Sequence, residues 1–193
     1  QDISSKAPHI ELKRVESVDQ LLDFDFNTIS NIVPFKDKKY IENRFFNYPF
    51  YKYDVFLVYK KNELVAQNVV VCRKAMAKNN EYNDIASAYR VVDFYGTDDL
   101  LPEIVGALFE KVKLQGDEFL DFVCHGFDDV LLKEAGMASL DFNSLDVVIP
   151  NHFEPLLKEN KVVHCIANKT SHEYRQCRAD GDQDTPHMIR ASK

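Results

Sequence analysis

The sequence predicts an α/β fold: a mixed central sheet, with an antiparallel meander followed by a parallel-type strand pair, flanked by helices. Three observations carry this expectation. Residues 53–95 hold three strand-like runs divided by polar segments, the pattern of consecutive antiparallel strands. The third run closes at Gly96 and feeds a segment in which Leu101, Ile104, Val105, Leu108 and Val112 recur at helical spacing. A nearly continuous apolar run at 119–124 then follows, as expected of a strand reached through a helix and laid parallel to its predecessor, buried on both faces.

Taken in order, residues 10–16 read as an edge strand and 17–26 as a short capped helix. Residues 37–46 carry Tyr40, Ile41 and Phe45 among alternating charges and read as a helix broken at Asn47, Tyr48 and Pro49. Residues 53–59 and 64–73 form a hairpin around the polar turn at 60–63, and the polar segment 74–84 reads as a loop. The strand at 88–95 completes the meander. Thr97, Asp98 and Asp99 suit a helix start, because a hydroxyl can cap free amides and carboxylates complement the helix dipole. Gly116 is placed to stop that helix, and Gly136 to stop a second one at 127–135. Strands are expected at 140–149 and 161–167, joined through the segment 150–155. From residue 168 the chain turns polar and loses periodicity. The expected organisation is one domain over 1–167 and a polar carboxyl-terminal arm over 168–193.

Composition narrows the function classes. A chain of 193 residues with 45% hydrophobic content can bury a full core. Its net charge of -7 argues against a general nucleic-acid binder, which needs a basic field for phosphates. No apolar run approaches the ~20 residues that span a bilayer, and no signal-peptide pattern opens the sequence. Cys72, Cys124, Cys165 and Cys177 show no paired spacing, and two lie in apolar strand-like runs. Reduced, packed thiols in a cytoplasmic protein are expected. The histidines form neither HxxxH nor HExxH, so no metal site is expected.

Four places could carry chemistry. Asp93, late on the third meander strand, is a carboxylate placed to pair with a buried Arg90, to cap a loop or to take part in chemistry. Tyr95, Gly96 and Thr97 form a turn whose backbone amides would face an anion at the helix start. His125 follows an apolar strand and precedes Gly126 and a new helix, a position where α/β sites collect ligand contacts. The tail places Asp180, Asp182 and Asp184 at alternate positions. That spacing opens like a calcium loop, but glycine stands second rather than sixth and no glutamate stands twelfth. The alternative is a solvated terminal turn.

The element order is that of the GNAT superfamily of acyltransferases. Several phrases resemble a narrower GNAT-like group among bacterial surface-polysaccharide biosynthesis proteins: residues 40–53 (YIENRFFNYPFYKY), 90–96 (RVVDFYG), 149–155 (IPNHFEP) and 178–186 (RADGDQDTP). The resemblance covers nearly the whole chain. It implies an acyl-CoA-dependent N-acyltransferase acting on an amino sugar or similar polar acceptor, with acetyl-CoA or another acyl-CoA as cofactor. Asp93 would sit where many such enzymes carry the general base, with His125 the further catalytic candidate from its own place at a strand end; Tyr95, Gly96 and Thr97 would bind the cofactor, and Asp180, Asp182 and Asp184 the substrate. It also implies that this chain is the carboxyl-terminal half of a longer tandem protein with a partner GNAT-like domain. One departure bears on this. GNAT enzymes hold the CoA pyrophosphate on a Gln/Arg-x-x-Gly-x-Gly/Ala turn, whereas residues 95–101 read YGTDDLL, with one glycine and two carboxylates. Like charge opposes a pyrophosphate there. A second expectation follows, a non-catalytic GNAT-like domain that binds a glycan or supports a partner. A metal-dependent transferase working through Asp180 and Asp182 is a more distant reading.

Overall fold

The structure, a computed structural model, describes residues 9–78, 85–140 and 171–181. The strands expected at 140–149 and 161–167, and with them Cys165, Asp182 and Asp184, lie outside the described residues.

The chain opens with strand β1 (Ile10–Val15). Ser17 caps the next element reciprocally with Gln20, but what forms is a 3-10 helix, Val18–Asp23, followed by a second, Phe26–Ile29, rather than one α-helix. Leu21 is the one buried residue of the first, so no apolar stripe rewards a longer helix. A two-residue strand β2 (Ile32–Val33) and helix α1 (Lys38–Ile41) follow, and α1 runs on as a π-helical turn, Glu42–Phe46.

Strands β3 (Asp54–Lys60), β4 (Asn68–Lys78) and β5 (Ile85–Gly96) form the expected antiparallel meander. The polar loop expected at 74–84 is a correction: the ladder runs on through Lys78↔Ile85. The small and polar residues of that stretch give no apolar run to mark the extension. Helix α2 (Leu101–Gln115) buries Leu101, Ile104, Val105, Leu108 and Val112 on one face, each contributing about 1.5–3 kcal/mol relative to exposure. It returns the chain to β6 (Phe119–Phe122), which pairs parallel with β5. The sheet order is β1-β3-β4-β5-β6, so β6 is its last strand among the described residues. Only Asp121 of β6 is buried, which corrects the expectation of a strand covered on both faces. Next come β7 (Cys124–His125) and α3 (Asp129–Glu134), whose amino end Asp128 caps.

Residues 171–181, expected as part of a polar arm, are built into the domain. β8 (Glu173–Tyr174) adds parallel to β2, and β9 (Gln176–Cys177) adds antiparallel to β7. A 3-10 turn, Arg178–Asp180, then lies against β5. Cys177 belongs to the apolar cluster on the α2 side of the sheet and Ala179 to the cluster on the other side. The segment therefore contributes to the apolar clusters on both faces of the sheet. We call it the strap.

Candidate functional site

A bulge in β5 organises the site. Val71 faces Asp93 and Cys72 faces Val91, so Val92 has no Cα partner across β4. A bulge turns neighbouring side chains toward the same side. Val92 and Tyr95 accordingly pack in the cluster opposite α2, while Val91 and Phe94 pack beneath α2. Strict alternation would have set Val92 opposite Asp93.

Asp93 is fully buried and accepts three hydrogen bonds. Its Oδ1 accepts from Lys36 Nζ at 2.6 Å and from the Phe94 amide at 3.0 Å, and its Oδ2 accepts from the Tyr95 hydroxyl at 2.6 Å. The same Lys36 ammonium donates to Asp180 Oδ2 at 2.7 Å, and that oxygen also accepts from the Cys177 amide at 2.8 Å. The Tyr95 and Tyr40 rings stand 5.6 and 5.8 Å from Lys36 Nζ. Burial alone would lower the Lys36 pKa, but Asp93 and Asp180 outweigh it and hold the ammonium above its ordinary value. Burial, then the charge of Asp93, raises Asp180, because two carboxylates share one cation. Burial and Asp93 likewise push the Tyr95 hydroxyl well up. A cavity of about 20 Å³ adjoins this cluster, lined in part by Lys36, Tyr95 and Cys177, which is room for roughly one water molecule.

A second buried group fixes the strap one step further along. Arg178 Nη2 donates to Asp121 Oδ2 at 3.1 Å, and Arg90 Nε lies 3.3 Å from the same oxygen. Arg90, which could have paired with Asp93, therefore faces its register partner Asp121 on β6.

The strap also covers the turn at the start of α2. Arg175 Nη1 donates to the Gly96 carbonyl at 3.1 Å and to Asp98 Oδ1 at 2.7 Å, while Asp98 Oδ2 accepts from the Asp128 amide at 3.1 Å. Thr97 Oγ1 accepts from the Asp99 amide at 3.2 Å, the expected cap. Gly96 has φ +103°, and a Cβ there would meet the Gln67 carbonyl oxygen at 2.3 Å, so only glycine fits. Asp98 is thus neutralised by Arg175 rather than presented as an open negative charge. Asp99 remains exposed.

Beside this turn lies an open cleft of about 500 Å³, within the ~300–1,000 Å³ of small-molecule sites. Asp25, Thr28, Asn31, Gln67, Thr97 and Glu173 supply its polar wall, and Ile32, Val65 and Ala66 an apolar one. Arg175 and Gly96 complete it.

Of the residues singled out in the sequence, Asp93, Tyr95 and Asp180 meet in one cluster, and Gly96 and Thr97 line the cleft. His125 is exposed, its ring 6.1 Å from that of Tyr174, and it takes no part in the Lys36 contacts described. Asp182 and Asp184 lie outside the described residues. Lys36, Arg175 and Arg178 were missed. Lys36 sits in a short polar stretch before a helix, and the two arginines in a segment without periodicity, so nothing local sets them apart from solvated surface charges. Asp93, Cys177 and Asp180 offer ligand atoms within 4.8 Å of one another, but the Lys36 ammonium already holds the cation position between the two carboxylates.

No family model, curated protein or solved structure matches the chain. Among the described residues the chain is a mixed α/β domain with a five-stranded sheet flanked by helices. Among the described residues no helix is long and apolar enough to cross a membrane.

Proposed function

We propose that this chain is a GNAT-like domain that binds a saccharide in the cleft beside Gly96 and does not itself transfer an acyl group. One observation carries the reading. The strap places Arg175 on the turn that would receive a pyrophosphate and Asp180, through Lys36, on the carboxylate that would act as base. An acyltransferase base must be free to take a proton, and its turn is expected to offer amides rather than an ion pair to the pyrophosphate. The cleft supports the ligand class: Thr28, Asn31, Gln67 and Thr97 can each donate and accept hydrogen bonds, which suits hydroxyl groups. Asp25 and Glu173 suit the ammonium of an amino sugar. Ile32 and Val65 provide an apolar wall for the C–H face of a ring.

The test is to follow amide shifts of the isotope-labelled chain by NMR during titration with neutral hexoses, hexosamines and their oligomers. Saturable shifts at Thr28, Asn31, Gln67 and Thr97 are expected, weakened by Asn31→Ala. Absence of saturable shifts with every sugar, or shifts elsewhere only, defeats the saccharide reading.

A second reading stays with acyl transfer to an amino sugar in surface-glycan biosynthesis. It is favoured by the Tyr95 hydroxyl lying 2.6 Å from Asp93, a carboxylate and a phenol side by side on the bulged strand. In it the strap moves aside, acyl-CoA takes the turn at Gly96, and Asp93 receives a proton from the acceptor amine as it attacks the thioester.

A further inference from the structure

Strands β7 and β9 meet in antiparallel register with Cys124 directly opposite Cys177. Directly opposed side chains leave the same face of a ladder, with Cβ atoms ~4.5–5.5 Å apart, so bond formation draws them together by up to about 1 Å toward the ~3.5–4.5 Å of a disulfide. Both kinds of antiparallel pair have Cα separations, ~4.5 and ~5.5 Å, inside the ~4.4–6.8 Å range of disulfides. Both residues are free thiols, Cys177 buried and Cys124 partly so. The two strands are only two residues long, so few ladder hydrogen bonds hold the strap at this point.

We propose that Cys124 and Cys177 are a redox site, forming a reversible disulfide by exchange with a low-molecular-weight disulfide such as oxidised glutathione, and that this bond fastens the strap to the sheet. Cys124, the more accessible sulfur, loses its proton and attacks one sulfur of the small disulfide, which releases one thiolate. Cys177 then loses its proton and attacks the Cys124 sulfur of the mixed disulfide, which releases the second. Two protein thiols are oxidised to one disulfide, and the small disulfide is reduced to two thiols. Burial raises both protein thiols, Cys124 to about 12, so exchange at neutral pH is slow and the site responds to sustained rather than brief oxidation. The bond would hold Arg175 and Asp180 on their partners, because both flank Cys177 on the strap. None of this depends on the ligand of the cleft.

The experiment treats the full chain with oxidised glutathione at alkaline pH overnight, blocks remaining thiols, and maps unreduced peptides by mass spectrometry. Expected are a Cys124–Cys177 cross-linked peptide, a rise of roughly 10 °C in melting temperature, and reversal of both by dithiothreitol. Cys124→Ser, at the less buried position, removes both. A lasting glutathione adduct on Cys124, pairing of Cys177 with another cysteine, or thiols still unreacted overturns the redox site. A cross-link without a rise in melting temperature overturns its fastening role.

Discussion

Lys36 and Asp180 are 144 positions apart in sequence, yet their side chains meet at 2.7 Å around an ammonium that Asp93 also holds. The contact ties the strap to a loop before α1 and to the bulged strand at once. It makes Lys36 the joint between the tail and the sheet.

Removing Lys36 leaves two buried carboxylates sharing a site without a cation. Lys36→Met is expected to cost about 3–5 kcal/mol, the range for breaking a buried pair by deleting one partner. Urea denaturation measures it, and Asp180→Asn added to Lys36→Met should restore part of the loss, since it removes one of the stranded charges. A cost below about 1 kcal/mol, the range of exposed pairs, would show that the ammonium is not what secures the strap.

The pH dependence of Asp180 has a definite sign. Its folded pKa is raised, so over the interval between the ordinary aspartate value and the raised one the folded state binds the extra proton. Asp180 therefore adds stability as pH falls from neutral through that interval. Melting temperatures of the wild type minus those of Asp180→Asn should rise on acidification toward pH ~4, where the unfolded carboxyl begins to protonate as well. A difference that shrinks on acidification would mean that Lys36 dominates and Asp180 is depressed instead.

Gly126 offers a way to lift the strap without touching a charge. Its φ is +81°, and a Cβ there would stand 2.1 Å from the Tyr174 carbonyl oxygen. Gly126→Ala should strain the backbone by about 1–3 kcal/mol and push β8 away. Hydrogen exchange at residues 174–177 should accelerate, while exchange in α2 and the β3-β4-β5 meander stays slow. Equal acceleration everywhere would mean that the strap and the sheet open as one unit.

Much of the fold was legible because local patterns and tertiary demands coincide. The helical stripe from Leu101 to Val112, the meander and the parallel return into β6 each follow from spacing that one buried face enforces. The extension of the hairpin to Lys78 and Ile85 was not legible, because the small and polar residues of that stretch carry no apolar alternation. Asp93, Tyr95 and Asp180 could be selected by residue type and position. Their convergence could not, because it depends on Lys36 and on a tail whose strands of two residues carry no periodic signal. The bulge at Val92 is equally silent in sequence, yet it decides which side chains share a face with Asp93.

The closed strap is tested most directly by calorimetric titration of the native chain with acetyl-CoA and desulfo-CoA at low salt. With Arg175 seated on Gly96 and Asp98, and Asp93 enclosed by Lys36 and Tyr95, no saturable heat is expected. Micromolar binding would contradict the closed strap and return the chain to acyl transfer, with Asp93→Asn as the next variant to assay.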